Sequence, residues 1–153
     1  VGIAILAETM IQSRMIIRYW LPPIVWMIFI SPLNSLLTSR ETSSLVLPFI
    51  SWLMPHLTPD VKAALHIVFR KTGHFLGYAF LALLLFRAFR GGSRTFRFSS
   101  FLFAGLISFG YAALDEYLQT FIPARTGSFY DWLIDAFGIA TALIILAWRS
   151  KKQ

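Results

Sequence analysis

Four of the chain's seven acidic residues, Asp115, Glu116, Asp131 and Asp135, stand in one string, DEYLQTFIPARTGSFYDWLID, together with Gln119 and Arg125. Lys71 and His74 stand upstream in RKTGHF. Carboxylates beside an imidazole are equipment for general acid–base chemistry, with His74 paired to Asp115 or Glu116. Arg125 with Lys71 and Arg70 offers cations for a phosphate or a carboxylate. Asp131 and Asp135 would hold a cation or orient Arg125. The chain has no cysteine, which excludes thiol catalysis, thiolate metal sites and disulfides. It has no H-E-x-x-H, so zinc is poorly supported and no metal site is assigned. A hard divalent cation such as Mg²⁺ or Ca²⁺ would suit several carboxylates, so the cofactor stays open.

Each signal has a plainer reading. Ser128 and Asp131 form S-x-x-D, a capping-box variant, and capping alone would account for Asp131. Asp135 lies deeper, where a salt bridge to Arg125, Arg70 or Lys71 would explain it. The whole cluster would then be a clasp between helices, since buried charges must pair. Arg125 reads most simply as a solvated loop charge, and His56 and His66 as interfacial residues.

The elements that must position these groups are membrane helices. The 153 residues are 57% hydrophobic and 16% aromatic, with a mean hydropathy of +0.67. That is far from a soluble domain and predicts a polytopic membrane protein. Net charge is +7. The basic residues flank apolar runs rather than forming a stripe, which suits lipid headgroups and disfavours nucleic acid. The predicted fold is all-α: a polytopic bundle of about four transmembrane helices plus an interfacial or re-entrant segment.

Residues 1–18 form an N-terminal cytoplasmic or interfacial segment; Glu8 and Arg14 deny it the order of a signal peptide. Residues 19–149 form a single transmembrane domain. Its first span runs from Tyr19 to Leu37, with Trp20 and Trp26 as interfacial aromatics and Pro22, Pro23 and Pro32 kinking or trimming it. Residues 38–58 are the interfacial or re-entrant piece. The second span starts at an N-cap Thr58, with Pro59 and Asp60 in the first turn, and ends near Phe89. Gly73 and Gly77 form a GxxxG pair on it. GGSR is a tight basic turn. The third span covers Phe98 to Phe121, the fourth Ser128 to Trp148.

Lys and Arg counts set a topology. Arg14, Arg18, Arg87, Arg90, Arg94, Arg97, Arg149, Lys151 and Lys152 make nine on one side, against five (Arg40, Lys62, Arg70, Lys71, Arg125) on the other. The positive-inside rule then puts both termini in the cytoplasm and the polar cluster on the outer side. Asp135 lies roughly 10 Å below Ser128 and Asp115 roughly 12 Å below Pro123, so the two carboxylates share a depth. Facing agrees as well: Tyr111, Asp115 and Gln119 share one helix stripe, Asp131 and Asp135 another, and Lys71, His74 and Tyr78 a third. Tyr111, Tyr117 and Tyr130 also suit an aromatic belt.

The strings RKTGHFLGYAFLALLLF, DEYLQTFIPARTGS and DWLIDAFG resemble the VanZ-like family of small membrane proteins, named for a protein linked to teicoplanin resistance. The likeness covers about residues 70–142. It implies interest in Lys71, His74, Gln119, Arg125, Asp131, Asp135 and Gly138, and in Glu116 or Asp115 as the family acid. It implies a cell-envelope context and no established reaction.

Two readings follow. In one, an enzyme or binding protein acts at the outer leaflet of the plasma membrane on a lipid-linked, cell-wall-related substrate. There His74, Asp115 and Glu116 are catalytic, and Lys71, Gln119, Arg125, Asp131 and Asp135 bind substrate. In the other, a non-catalytic scaffold or modulator uses the charges as a clasp. Membrane lipids are partners in both; oligomeric state is open.

Overall fold

The computed structural model describes residues 2–36, 39–93, 95, 97–121 and 128–150. They fold into five helices: α1 (Gly2–Leu36), α2 (Ser39–Leu53), α3 (Pro59–Arg90), α4 (Phe98–Gln119) and α5 (Phe129–Ser150). No strand occurs among the described residues. Three helices, α3, α4 and α5, are long and apolar enough to cross a membrane. The protein is a helical membrane bundle. Residues 19–36 of the predicted first span lie within α1, and Leu37 lies outside the described residues; α1 is not one of the three among the described residues, and Pro22, Pro23, Pro32 and Asn34 interrupt its apolar run.

α3 is the hub. It packs against each of the other four helices, most extensively against α5. It is 32 residues long against 22 for α4 and for α5. Pro59 opens it and Asp60 sits in its first turn, as predicted. Thr58 has the extended backbone of an N-cap, but its side chain makes no cap hydrogen bond. Gly91 closes the helix in the left-handed region at φ 56°, with its N–H donated to the Ala88 carbonyl. Arg90 bonds the Ser93 carbonyl and tightens this turn.

α1 differs from the prediction in length, starting at Gly2 rather than Tyr19, and it runs through all three prolines. Each proline gives up a backbone hydrogen bond, so the helix depends on its neighbours. Those neighbours are visible. Pro23 is fully buried. Trp26 Nε1 donates to the Gly77 carbonyl of α3 at 2.9 Å, and Tyr111 of α4 donates to the Met27 carbonyl at 2.6 Å. Trp26 is therefore an internal anchor rather than an interfacial residue, and its ring meets Phe80 edge-on. Tyr111 likewise faces α1 instead of the aromatic belt, whereas Tyr117 and Tyr130 are exposed. Residues 39–53 of the predicted interfacial or re-entrant piece form α2, with Pro48 inside it, packed on α3.

Of the GxxxG pair, only Gly77 carries a contact: a Cβ there would meet Ile30 of α1, while at Gly73 it would meet nothing. The tight crossing is at Gly138. A Cβ on Gly138 would strike the backbone of Phe75, so α5 can lie against α3 only because that position is glycine. Below this crossing the core is apolar, with Tyr78, Leu81 and Leu85 of α3 against Ala112 of α4 and Ile139 and Leu143 of α5. The outer surface is apolar too, Phe103, Leu106, Phe137 and Ile144 among it. Polar groups inside and large apolar groups outside are the arrangement lipid demands.

Candidate functional site

The site is built where α3, α4 and α5 meet. One face of α3 presents Lys71, His74 and Tyr78 at helical spacing, and each finds a carboxylate on another helix. Lys71 Nζ donates to Asp131 Oδ1 at 2.9 Å, with the Arg70 guanidinium 3.8 Å from Asp131 Oδ2. His74 Nδ1 lies 3.2 Å from Asp135 Oδ1. Tyr78 donates to Asp115 Oδ2 at 3.0 Å. The rungs become drier along the helix: Lys71 keeps 38% of its side chain exposed, while His74 keeps 7% and Asp135 none.

α4 supplies two adjacent carboxylates that part company. Asp115 turns towards Tyr78 and also accepts from Gln119 Nε2, one turn on, at 3.2 Å. Glu116 turns towards α5 and accepts the Ser128 N–H at 2.8 Å. Both are buried. Of the two carboxylates considered as partners for His74, only Glu116 turns towards it. Glu116 offers an oxygen in the same group as His74 and Asp135, the three ligand-type atoms all within 4.8 Å of one another. The hydrogen bond of His74 itself goes to Asp135, not to either α4 carboxylate.

The start of α5 explains how Asp131 is freed. Ser128 Oγ accepts the Asp131 N–H at 3.4 Å, one arm of the predicted capping box. The return arm, acid to the Ser128 N–H, is supplied from α4 by Glu116. A helix end thus closes across two helices, and the Asp131 side chain goes to Lys71 and Arg70. Asp135 does not take the salt bridge to Arg70 or Lys71 considered for it; one turn deeper, it meets the imidazole instead.

Of the predicted site residues, Lys71, His74, Asp115, Glu116, Gln119, Asp131 and Asp135 converge on this one place. Arg125 lies outside the described residues. His66, read as interfacial, is buried in α3; His56 is exposed, as that reading requires. Tyr78 and Ser128 are members the candidate list lacks. Tyr78 was legible as the next position of the Lys71–His74 stripe. The bond from Ser128 to Glu116 joins residues on two helices, and no spacing rule reaches it.

The arrangement is a buried carboxylate–imidazole cluster that joins three helices. The contact between His74 Nδ1 and Asp135 Oδ1 holds the imidazole in one orientation. Glu116 stands alongside the pair. Lys71 and Arg70, partly exposed, stand at the wetter end of the row, both on Asp131.

Fold and site define a class: a small helical membrane protein with a buried carboxylate–imidazole cluster between three spans and a cationic mouth. The model of the VanZ/LLP1 family matches residues 16–150, and the chain belongs to that family. The match extends the likeness seen at 70–142 to nearly the whole described bundle, from the middle of α1 onward. No match was found among curated proteins or among solved structures.

Proposed function

We propose that the chain works in the cell envelope by binding, and acting through proton transfer on, the polar head of a lipid-linked, cell-wall-related molecule. The observation that carries this reading is the gradient along one face of α3. Exchangeable cations, Lys71 and Arg70, stand at the mouth, and a dry His74–Asp135 pair with Glu116 lies just beyond. A lipid-linked substrate keeps its chain among the exposed apolar side chains of α4 and α5 while its anionic head meets Lys71, Arg70 and Arg125. The head group must then be one that gains or loses a proton at His74. The count of Lys and Arg favours the outer leaflet for these cations. The family's name makes glycopeptide tolerance the first phenotype to test.

The test is complementation of glycopeptide (teicoplanin) tolerance with Asp135→Asn and Glu116→Gln, with membrane levels followed by immunoblot. Both changes remove charge and little volume. Normal accumulation with lost tolerance supports a working site; normal accumulation with full tolerance refutes it.

A second reading has its own observation. Asp131 bridges α5 to Lys71 and Arg70 of α3, which is the geometry of a structural clasp. In that reading the protein is a scaffold or modulator. The exchange Lys71→Asp with Asp131→Lys would then restore tolerance that either single change abolishes.

A further inference from the structure

We propose that His74, Glu116 and Asp135 form a binding site for one divalent first-row cation, of the Mn²⁺ or Zn²⁺ kind. An imidazole that ligates the ion cannot also transfer a proton, so this site would replace the proton-transfer role of His74 proposed above while leaving the substrate class untouched.

Three observations carry it. The first is convergence. One nitrogen of His74 and one oxygen each of Glu116 and Asp135 lie within 4.8 Å of one another, and they come from three different helices. Ligands about 2.0–2.2 Å from a common ion stand at most about 4.4 Å apart. Neighbouring ligands of one ion stand closer still, about 3.0–3.5 Å apart, so the three donors would draw together around it.

The second is unmet hydrogen bonding. Glu116 Oε1 and Asp135 Oδ2 are both buried and have no hydrogen-bond partner among the described residues. Glu116 is 8% exposed and Asp135 0%. A buried carboxylate oxygen with no partner is costly, and two of them in one cluster point to a ligand that satisfies both.

The third is charge. Asp131 takes Lys71 and Arg70. Glu116 and Asp135 make no ion pair with Lys or Arg among the described residues, and Asp135 has only the imidazole. Two carboxylates, with the imidazole neutral as a ligand must be, would sum to the charge that a divalent cation cancels.

The donor set selects the metal. Ca²⁺ takes six to eight oxygens, and Mg²⁺ keeps its waters and seldom takes imidazole. One imidazole with two carboxylates and no thiolate suits Mn²⁺ or Zn²⁺. Three protein ligands leave coordination positions open for water or an oxygen of a bound molecule. The Glu116 bond to the Ser128 N–H and the stripe linking His74 to Lys71 would serve as the supporting shell.

The test uses the full chain purified in detergent without chelator and titrated with Mn²⁺ under electron paramagnetic resonance. The expected result is about one tightly held Mn²⁺ per chain, with nitrogen hyperfine coupling from an imidazole, released on adding Zn²⁺. His74→Gln should abolish the nitrogen coupling. Glu116→Gln and Asp135→Asn should each weaken Mn²⁺ binding by more than about tenfold, since loss of even an outer-shell partner costs that much. His66→Gln, on the same helix and outside the cluster, should leave binding unchanged. Glu116→Asp keeps the charge while shortening the reach, so a folded protein with weakened Mn²⁺ is expected even where the neutral variants do not accumulate. A wild-type spectrum of hydrated Mn²⁺ alone, nitrogen coupling that survives His74→Gln, or equal loss with His66→Gln overturns the proposal. A positive spectrum with full glycopeptide tolerance in the charge-neutral variants would leave the metal site standing and remove the function proposed above.

Discussion

His74 and Tyr78 stand one turn apart on α3 and bond different carboxylates, Asp135 on α5 and Asp115 on α4. That divides the residues by role. Asp115 accepts from two neutral donors, Tyr78 and Gln119, in a dry setting. Removing one donor there leaves a buried oxygen short, which costs about 1–3 kcal/mol. Tyr78→Phe should lower stability by that amount in denaturant titrations of the detergent-solubilised protein, with little change in Mn²⁺ affinity. Lys71 is different. It is half-exposed, and an ion pair of that kind contributes only about 0–1 kcal/mol. Lys71→Ala should therefore leave the unfolding midpoint nearly unchanged and still reduce tolerance, if the cation at the mouth meets substrate. Equal loss of stability and tolerance would instead identify Lys71 as a clasp. The convergence of Lys71, His74, Asp115, Gln119, Asp131 and Asp135 was legible because helical period fixes which side chains share a face. The swap at the start of α5, where Glu116 replaces Asp131 as the cap's return arm, was not, since it depends on how two helices approach in space.

At the scale of elements, α3 and α5 make the decisive contact, and Gly138 is its tightest point. Alanine there would push against backbone, which cannot rotate aside as a side-chain end can. Gly138→Ala should cost about 1–3 kcal/mol, the usual penalty of overpacking, and should shift Asp135 relative to His74. A matched Gly73→Ala should be neutral or slightly stabilising, because its Cβ meets nothing and alanine favours helix. Thermal melts of the two variants in one detergent would separate them, and a comparable loss in both would show that the α3–α5 crossing is looser than described. The glycine pattern alone pointed to Gly73 and Gly77 as a pair, yet the partner of α3 at Gly77 is α1, and the partner that requires a bare backbone is α5. Spacing on one helix cannot say which neighbour arrives. The same limit applied to α1, where three prolines predicted an interrupted span. Side-chain bonds from Trp26 and Tyr111 tie that helix to α3 and α4, and such bonds are invisible until the bundle exists.

For the whole molecule, the bundle has two unlike ends. Around Tyr19, the guanidinium of Arg18 lies 5.8 Å and that of Arg87 5.1 Å from the ring centre, and Trp20 packs on Phe89 near the Gly91–Gly92 turn. The middle of α1 and the end of α3 therefore lie together, at an end that gathers basic residues counted together in the sequence. The carboxylate cluster lies towards the opposite end, where α4 finishes and α5 begins. A charge asymmetry of this kind orients a helical membrane protein with its basic end in the cytoplasm. The chain offers a clean way to measure it, because it contains no cysteine. Single cysteines at Ser93, in the basic turn, and at Thr58, at the opposite start of α3, report the two ends without background. In intact cells a membrane-impermeant maleimide should label Thr58→Cys and leave Ser93→Cys unlabelled until the membrane is opened. The reverse pattern would turn the site inward, to the cytoplasmic leaflet. There it would meet lipid-linked precursors before export rather than after it, and the proposed substrate would have to be sought among molecules still being assembled.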